Sequence, residues 1–209
     1  MSFYIAIIDY GIGNLKSVSK IITYLGEKSV ITSDPEILFN ANGIILPGVG
    51  AFGDGIKNLK EKGLIPIING IIDDNKPFFG ICLGMQLLFT KSYEMGVNKG
   101  LNLIKGEIRA FNKQKVEKIP QIGWNSVTFQ ERNHFLIKGV PNNSYFYFVH
   151  SYYCMPEYEE DILGVTQYGQ KIFCSMICKD NIVGTQFHPE KSSKYGKKMY
   201  ENFISFCKK

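Results

Sequence analysis

Short apolar runs alternate with amphipathic stretches through the first ninety residues. Residues 3–9 predict a strand, and Leu15, Val18, Ile22 and Leu25 form a stripe at helical spacing that Gly26 ends. A strand near 28–32 leads to Asp34-Pro35, a helix start with proline at its first position. Gly43-Ile44-Ile45-Leu46 predicts a third strand, followed by helical segments at 53–62 and 64–74. Phe78, Phe79 and Ile81 then mark a buried fourth strand. After Cys82 the period changes, and Met85, Leu88 and Phe89 fall on one helical face. This alternation predicts an α/β fold with a doubly wound, mostly parallel sheet and functional groups at the C-terminal strand ends.

Beyond residue 96 the pattern shifts to shorter β-rich runs, among them 124–129, 145–149, 171–176 and 182–187. No linker, repeat or low-complexity tract interrupts residues 1–209, which read as one domain with antiparallel additions in its second half. Ser192-Ser193 is placed to cap a last helix in which Tyr195, Met199, Phe203 and Phe206 turn inward.

Composition narrows the class. The 209 residues, 44% of them hydrophobic, suffice for one sizeable core, and no apolar run is long enough to cross a bilayer. The N-terminal residues lack the basic stretch of a secretory signal. Five cysteines without a Cys-x-x-Cys pair argue for a reducing cytoplasm and against a disulfide or zinc scaffold; Cys154, Cys174, Cys178 and Cys207 read as small core fillers. The net charge of +5 comes from scattered lysines with a modest C-terminal cluster, which reads as a solvated helix face and not as a nucleic-acid stripe.

Three stretches carry candidate chemistry. Cys82 stands at the switch from strand to helix with Gly80 and Gly84 two residues to either side. This is the nucleophile-elbow spacing, in which a tight turn lifts the side chain above the sheet and a helix N-terminus favours a thiolate. The pentapeptide alone is equally compatible with a buried cysteine in an ordinary turn. The loop Pro47-Gly48-Val49-Gly50 follows a predicted strand and can turn backbone N–H groups toward an anion. His188 and Glu190, separated by Pro189, leave one face of an extended chain, so that the carboxylate can orient the imidazole toward a nucleophile. His188 alone fits a satisfied polar pair equally well. Gly11-x-Gly13 lacks the third glycine of a dinucleotide fingerprint, since Lys16 stands there. His134 and His150 have weaker cases, His134 as a surface residue.

The segments 80–86 and 186–190, Gly-Ile-Cys-Leu-Gly-Met-Gln and Gln-Phe-His-Pro-Glu, resemble those of class I (triad) glutamine amidotransferases. Tyr10-Gly11-Ile12-Gly13-Asn14-Leu15, Pro47 to Phe52, Gly123-Trp124-Asn125 and Tyr147 to Tyr152 extend the likeness over nearly the whole chain. Together they resemble the glutaminase subunits of imidazole glycerol phosphate synthase. The resemblance implies a flavodoxin-like sheet and a nucleophile at Cys82, a general base and acid at His188, and an orienting Glu190. It implies oxyanion donors at the backbone of Leu83 and from Val49 or Gly50. It places the glutamine amino-acid end against Gln86 and Glu94, with Ser151 and Tyr152 nearby. It further implies a heterodimer with a cyclase subunit facing Asn14, Trp124, Tyr147 and Lys191, and no metal or cofactor.

One departure stands out. Where many members of the family read Pro-His-Met-Gly-Trp-Asn, this chain has Pro120-Gln121-Ile122-Gly123-Trp124-Asn125, in a region expected to face the partner and lie away from the nucleophile. Three functions therefore stand beside each other: ammonia supply to a cyclase in histidine biosynthesis, the same chemistry for amidination of a cell-surface sugar, and a self-contained thiol γ-glutamyl hydrolase. A non-catalytic binding module is disfavoured by the combination of Cys82, His188 and Glu190.

Overall fold

Runs of β-favouring residues flanked by glycine turns form the central strands, and the intervening amphipathic stretches return over the two faces. The computed structural model describes residues 3–130 and 133–209. The first half comprises β1 (Ile5–Ile8), α1 (Leu15–Tyr24), β2 (Ser29–Thr32), α2 (Pro35–Asn40), β3 (Gly43–Gly48), α3 (Phe52–Glu61), α4 (Leu64–Asp73) and β4 (Phe78–Cys82). There follow α5 (Leu83–Leu87), β5 (Phe89–Ser92), β6 (Asn98–Lys99), β7 (Ile104–Ala110), β8 (Gln121–Phe129), β9 (Ser144–His150) and β10 (Tyr152–Pro156). The chain ends with β11 (Ile162–Tyr168), β12 (Lys171–Lys179), β13 (Ile182–Thr185) and α6 (Ser193–Cys207).

Neighbouring strands run β2-β1-β3-β4-β13 in parallel, and the sheet continues through β12, β10, β7, β5 and β6. Beyond β13 most pairings are antiparallel, with β11, β8 and β9 branching from β12, and all belong to one 13-stranded sheet among the described residues. β1, β3, β4 and β13 are buried along their full length. Their side chains alternate between two cores. Ile5, Ile7, Ile45 and Phe79 pack with Val18 and Ile22 of α1 and Met199 and Phe203 of α6. Ala6, Ile8, Ile44, Leu46 and Phe78 join Leu38 of α2, Leu59 of α3 and Ile68 of α4. A fully buried Ile or Phe contributes about 1.5–3 kcal/mol over an exposed one, so the period-two alternation fixes register as well as stability.

Three expectations need correction. The helix after the elbow is only Leu83–Leu87, and Phe89 opens β5 instead of continuing a helical face. The Leu87 and Leu88 carbonyls accept N–H groups from Leu101, Leu103 and Ile104, so tertiary pairing ends the helix early. Ser192 stands before α6 but makes no side-chain cap; its Oγ donates to the His188 carbonyl (2.6 Å) and accepts the Tyr147 N–H (3.0 Å). Cys178 is only half-buried, whereas Cys154, Cys174 and Cys207 are core residues as expected.

Candidate active site

The parallel register brings three sequence-distant segments to one rim. Gly48 at the end of β3 pairs with Cys82 at the end of β4, and Thr185 of β13 pairs with Ile81. A cavity of about 340 Å³ opens there, lined by Val49, Gly50, Cys82, Leu83, Gln86, Glu94, Pro120, Val149, His150, Ser151, Tyr152 and His188. Every residue expected to act on or hold a substrate, Glu190 excepted, contributes to this lining. Glu190 stands behind His188.

The elbow is a strained turn. Cys82 has φ 55° and ψ −111°, a conformation that costs about 1–3 kcal/mol unless its surroundings hold it. Gly84 is obligatory because a Cβ there would collide with the Leu46 carbonyl of the adjacent strand. At Gly80 a Cβ would meet the backbone of Gly84 and Met85 at 3.0 Å. The turn therefore sits close enough to β3 to present the sulfur beside the Gly48–Gly50 loop, where Gly50 has φ 100°.

His188 Nδ1 lies 2.8 Å from Glu190 Oε1, with both side chains buried. A carboxylate only accepts, so Nδ1 carries the proton and Nε2 is left for the nucleophile. This pairing arises differently from the expected extended chain, because Pro189–Lys191 forms a 3₁₀ turn that brings Glu190 back beneath the ring. Nε2 is buried and has no hydrogen-bond partner among the described residues. Burial alone would lower the imidazole pKa, but interaction with the Cys82 and Glu190 side chains outweighs it and raises the value above the ordinary range. The site thus favours an imidazolium beside sulfur.

Gln86 and Glu94 reach the cavity with prior commitments. Gln86 Nε2 donates to the Tyr152 carbonyl (3.2 Å) and to Gln186 Oε1 (2.9 Å). Glu94 Oε2 accepts the Phe52 N–H at 2.6 Å, which ties the cavity wall to the start of α3. Burial, then the Glu94 charge, raises the Tyr152 phenol, which stays neutral.

Three residues were missed, undervalued or misplaced in sequence. His150 lies in the cavity wall, with Nδ1 2.7 Å from the Tyr152 carbonyl and Nε2 3.0 Å from the Gln121 side chain. Gln121 is therefore buried behind His150 and does not face a partner as expected, whereas its neighbour Ile122 is exposed, because side chains alternate along β8. Gln186, completely buried, directs Nε2 toward Cys82 Sγ at 3.8 Å. A lone glutamine in an apolar strand end carries no chemical signature, so only the fold exposes it.

The four residues expected at a partner surface divide into two places. Trp124, half exposed, meets Tyr147 edge to face at 6.3 Å, and the Lys191 ammonium lies 5.7 Å from the Tyr147 ring. The backbone of Tyr147 also accepts the His188 N–H at 2.9 Å. Asn14 stands apart at the start of α1, beside the Gly13 turn that approaches the Pro47 carbonyl. Among the described residues no group of His, Cys, Asp or Glu is arranged to hold a metal ion.

Comparison with known proteins adds to this geometry. A family model described as glutamine amidotransferase class-I matches residues 6–206. The chain is 49% identical over 201 residues to the imidazole glycerol phosphate synthase subunit HisH 2 of Methanococcus maripaludis, covering 96% of this chain and 98% of that one. It is 48% identical over 198 residues to the corresponding HisH subunit of Aquifex aeolicus, covering 94% of each. The solved structure of PurLQS from Thermotoga maritima has the same fold, with TM-score 0.74, 18% identity and 99% coverage of both chains. A glutamine amidotransferase crystal structure also gives TM-score 0.74, at 14% identity, over 98% of this chain and 99% of that one.

Proposed function

Because the chain belongs to the class I glutamine amidotransferases, and within them to the HisH subunits, we propose that Cys82, His188 and Glu190 hydrolyse glutamine to glutamate and ammonia. The ammonia passes to a cyclase subunit that makes imidazole glycerol phosphate and AICAR in histidine biosynthesis. One observation carries the catalytic assignment: the strained elbow sulfur and His188, backed by the buried Glu190, line one cavity at adjoining strand ends.

Glutamine enters with its side-chain amide over Cys82 and its amino-acid end toward Gln86, Glu94, Ser151 and Tyr152. His188 holds the thiol proton while sulfur attacks the amide carbon. The carbonyl oxygen becomes an oxyanion, which the Leu83 N–H and an N–H of the Val49–Gly50 loop receive. Each such donor contributes about 3 kcal/mol in the transition state. The tetrahedral intermediate collapses, the C–N bond breaks, and His188 gives the proton to departing ammonia. Water, deprotonated by His188, then cleaves the thioester to glutamate and restores the thiol. Glu190 keeps the imidazole oriented throughout.

The complex forms in the cytoplasm, in keeping with five free cysteines. Near-complete matches to HisH subunits favour the histidine pathway over sugar amidination. The test is Cys82→Ser assayed with the cyclase. Glutamine-dependent synthesis should vanish while ammonia-dependent synthesis persists, and an electrophilic glutamine analogue should label Cys82. Labelling at Cys174 or Cys178 instead would overturn the assignment.

A further inference from the structure

The Gln186 amide lies beside the sulfur with its polarity fixed by its neighbours. The Tyr152 carbonyl can only accept, so the end of Gln86 that faces it at 3.2 Å is the NH₂ group. The same nitrogen lies 2.9 Å from the Gln186 amide, whose facing atom must then be the acceptor Oε1. Gln186 consequently turns its own NH₂ group toward Cys82 Sγ, 3.8 Å away. The Gln186 backbone N–H is anchored on the Ser175 carbonyl at 2.9 Å, and the side chain is wholly buried, which leaves it little freedom to turn.

We infer that Gln186 is a further catalytic residue of this site, whose amide donates to the Cys82 sulfur and favours the thiolate. The inference rests on the reading of Cys82 as nucleophile. In a buried site a donor to an anion is stronger than one to a neutral group, so the bond strengthens when sulfur loses its proton. Its role complements that of His188: one group accepts the proton, the other stabilises the charge left behind. A glutamine that merely filled space would influence stability without altering the reactivity of sulfur.

The measurement is the rate of Cys82 alkylation by iodoacetamide in the full chain across a pH series, with the labelled residue identified by mass spectrometry. Gln186→Met removes the donor, and Gln186→Glu keeps the shape but places a carboxylate against the sulfur. In Gln186→Met the rate near neutrality should fall about ten- to a hundredfold, with the midpoint about one to two pH units higher. Gln186→Glu should move the midpoint further in the same direction, and it carries the test alone if the methionine variant does not fold. An unchanged midpoint in a folded variant would overturn the role of Gln186 and leave the triad intact. Alkylation that falls on another cysteine in the unsubstituted chain would overturn both.

Discussion

His150 and His188 face one cavity with opposite proton affinities. His150 is buried in the cavity wall, and burial pulls its pKa down to about 4, against a smaller upward effect of the Tyr152 carbonyl and with a further downward effect of the His188 charge. Its Nδ1 therefore keeps a proton for the Tyr152 carbonyl, and Nε2 lies 3.0 Å from Gln121 Oε1, a contact that a neutral ring satisfies only when the Gln121 amide turns its NH₂ group inward. The pH consequences have opposite signs. The raised pKa of His188 contributes stability that is fully present below pH 6.5 and is lost as the pH rises through its folded value. His150 resists protonation only when folded, so stability falls as the pH drops from 6.5 to about 4, by at most about 3 kcal/mol. Urea unfolding across this interval should show the decline in the native chain and a flatter profile in His150→Gln. An equal slope in both would assign the decline to carboxylates.

At the scale of elements, the elbow and the loop after β3 are built from different uses of glycine. Gly84 is required by contact, since the Leu46 carbonyl occupies the place of a side chain. Gly50 is required by conformation: nothing lies within 4 Å of its would-be Cβ, but φ is 100°. We propose that Gly50, beyond the end of β3 and with open space around it, lets its flanking peptides exchange orientation, presenting either an N–H or a carbonyl to the oxyanion of the proposed reaction. Gly50→Ala should cost about 1 kcal/mol of stability in a thermal melt yet bias this exchange strongly. Loss of one oxyanion donor lowers the rate about 100- to 1,000-fold, so partner-stimulated glutamate release should fall far more than stability does. A variant with full turnover would show that no rotation at Gly50 is needed.

Across the whole molecule, the surface carrying Trp124 and Lys191 is joined through few atoms to His188, the proposed catalytic base. Tyr147 touches both side chains, its carbonyl holds the His188 N–H, and Ser192 Oγ bridges the Tyr147 N–H to the His188 carbonyl. A partner seated on Trp124 and Lys191 can thus bias the site through its differential affinity for two arrangements. The free chain should release glutamate slowly, and the cyclase with its nucleotide substrate should accelerate it. In Trp124→Ala and Lys191→Ala the acceleration should shrink while Cys82 remains open to alkylation. Full-rate turnover by the chain alone would refute gating and favour a self-contained hydrolase.

The local code determined the parallel half of the fold, because its central strands bury both faces and its helices expose one, giving two distinct periodicities. The elbow at Cys82 was foreshadowed by its two glycines, and the His188–Glu190 contact by their two-residue spacing, although a 3₁₀ turn and not extended chain closes that pair. The helix after Cys82 was overestimated because Leu88 and Phe89 suit either structure, and pairing with residues 101–104 decided between them. Ser192 had the residue type of a cap, but the approach of β9 gave its hydroxyl better partners. Gln121, His150 and Gln186 gained their places only when strands distant in sequence met. A neutral amide or imidazole has no periodicity and no fixed spacing to its partner, so the direction of its hydrogen bonds is settled by tertiary structure.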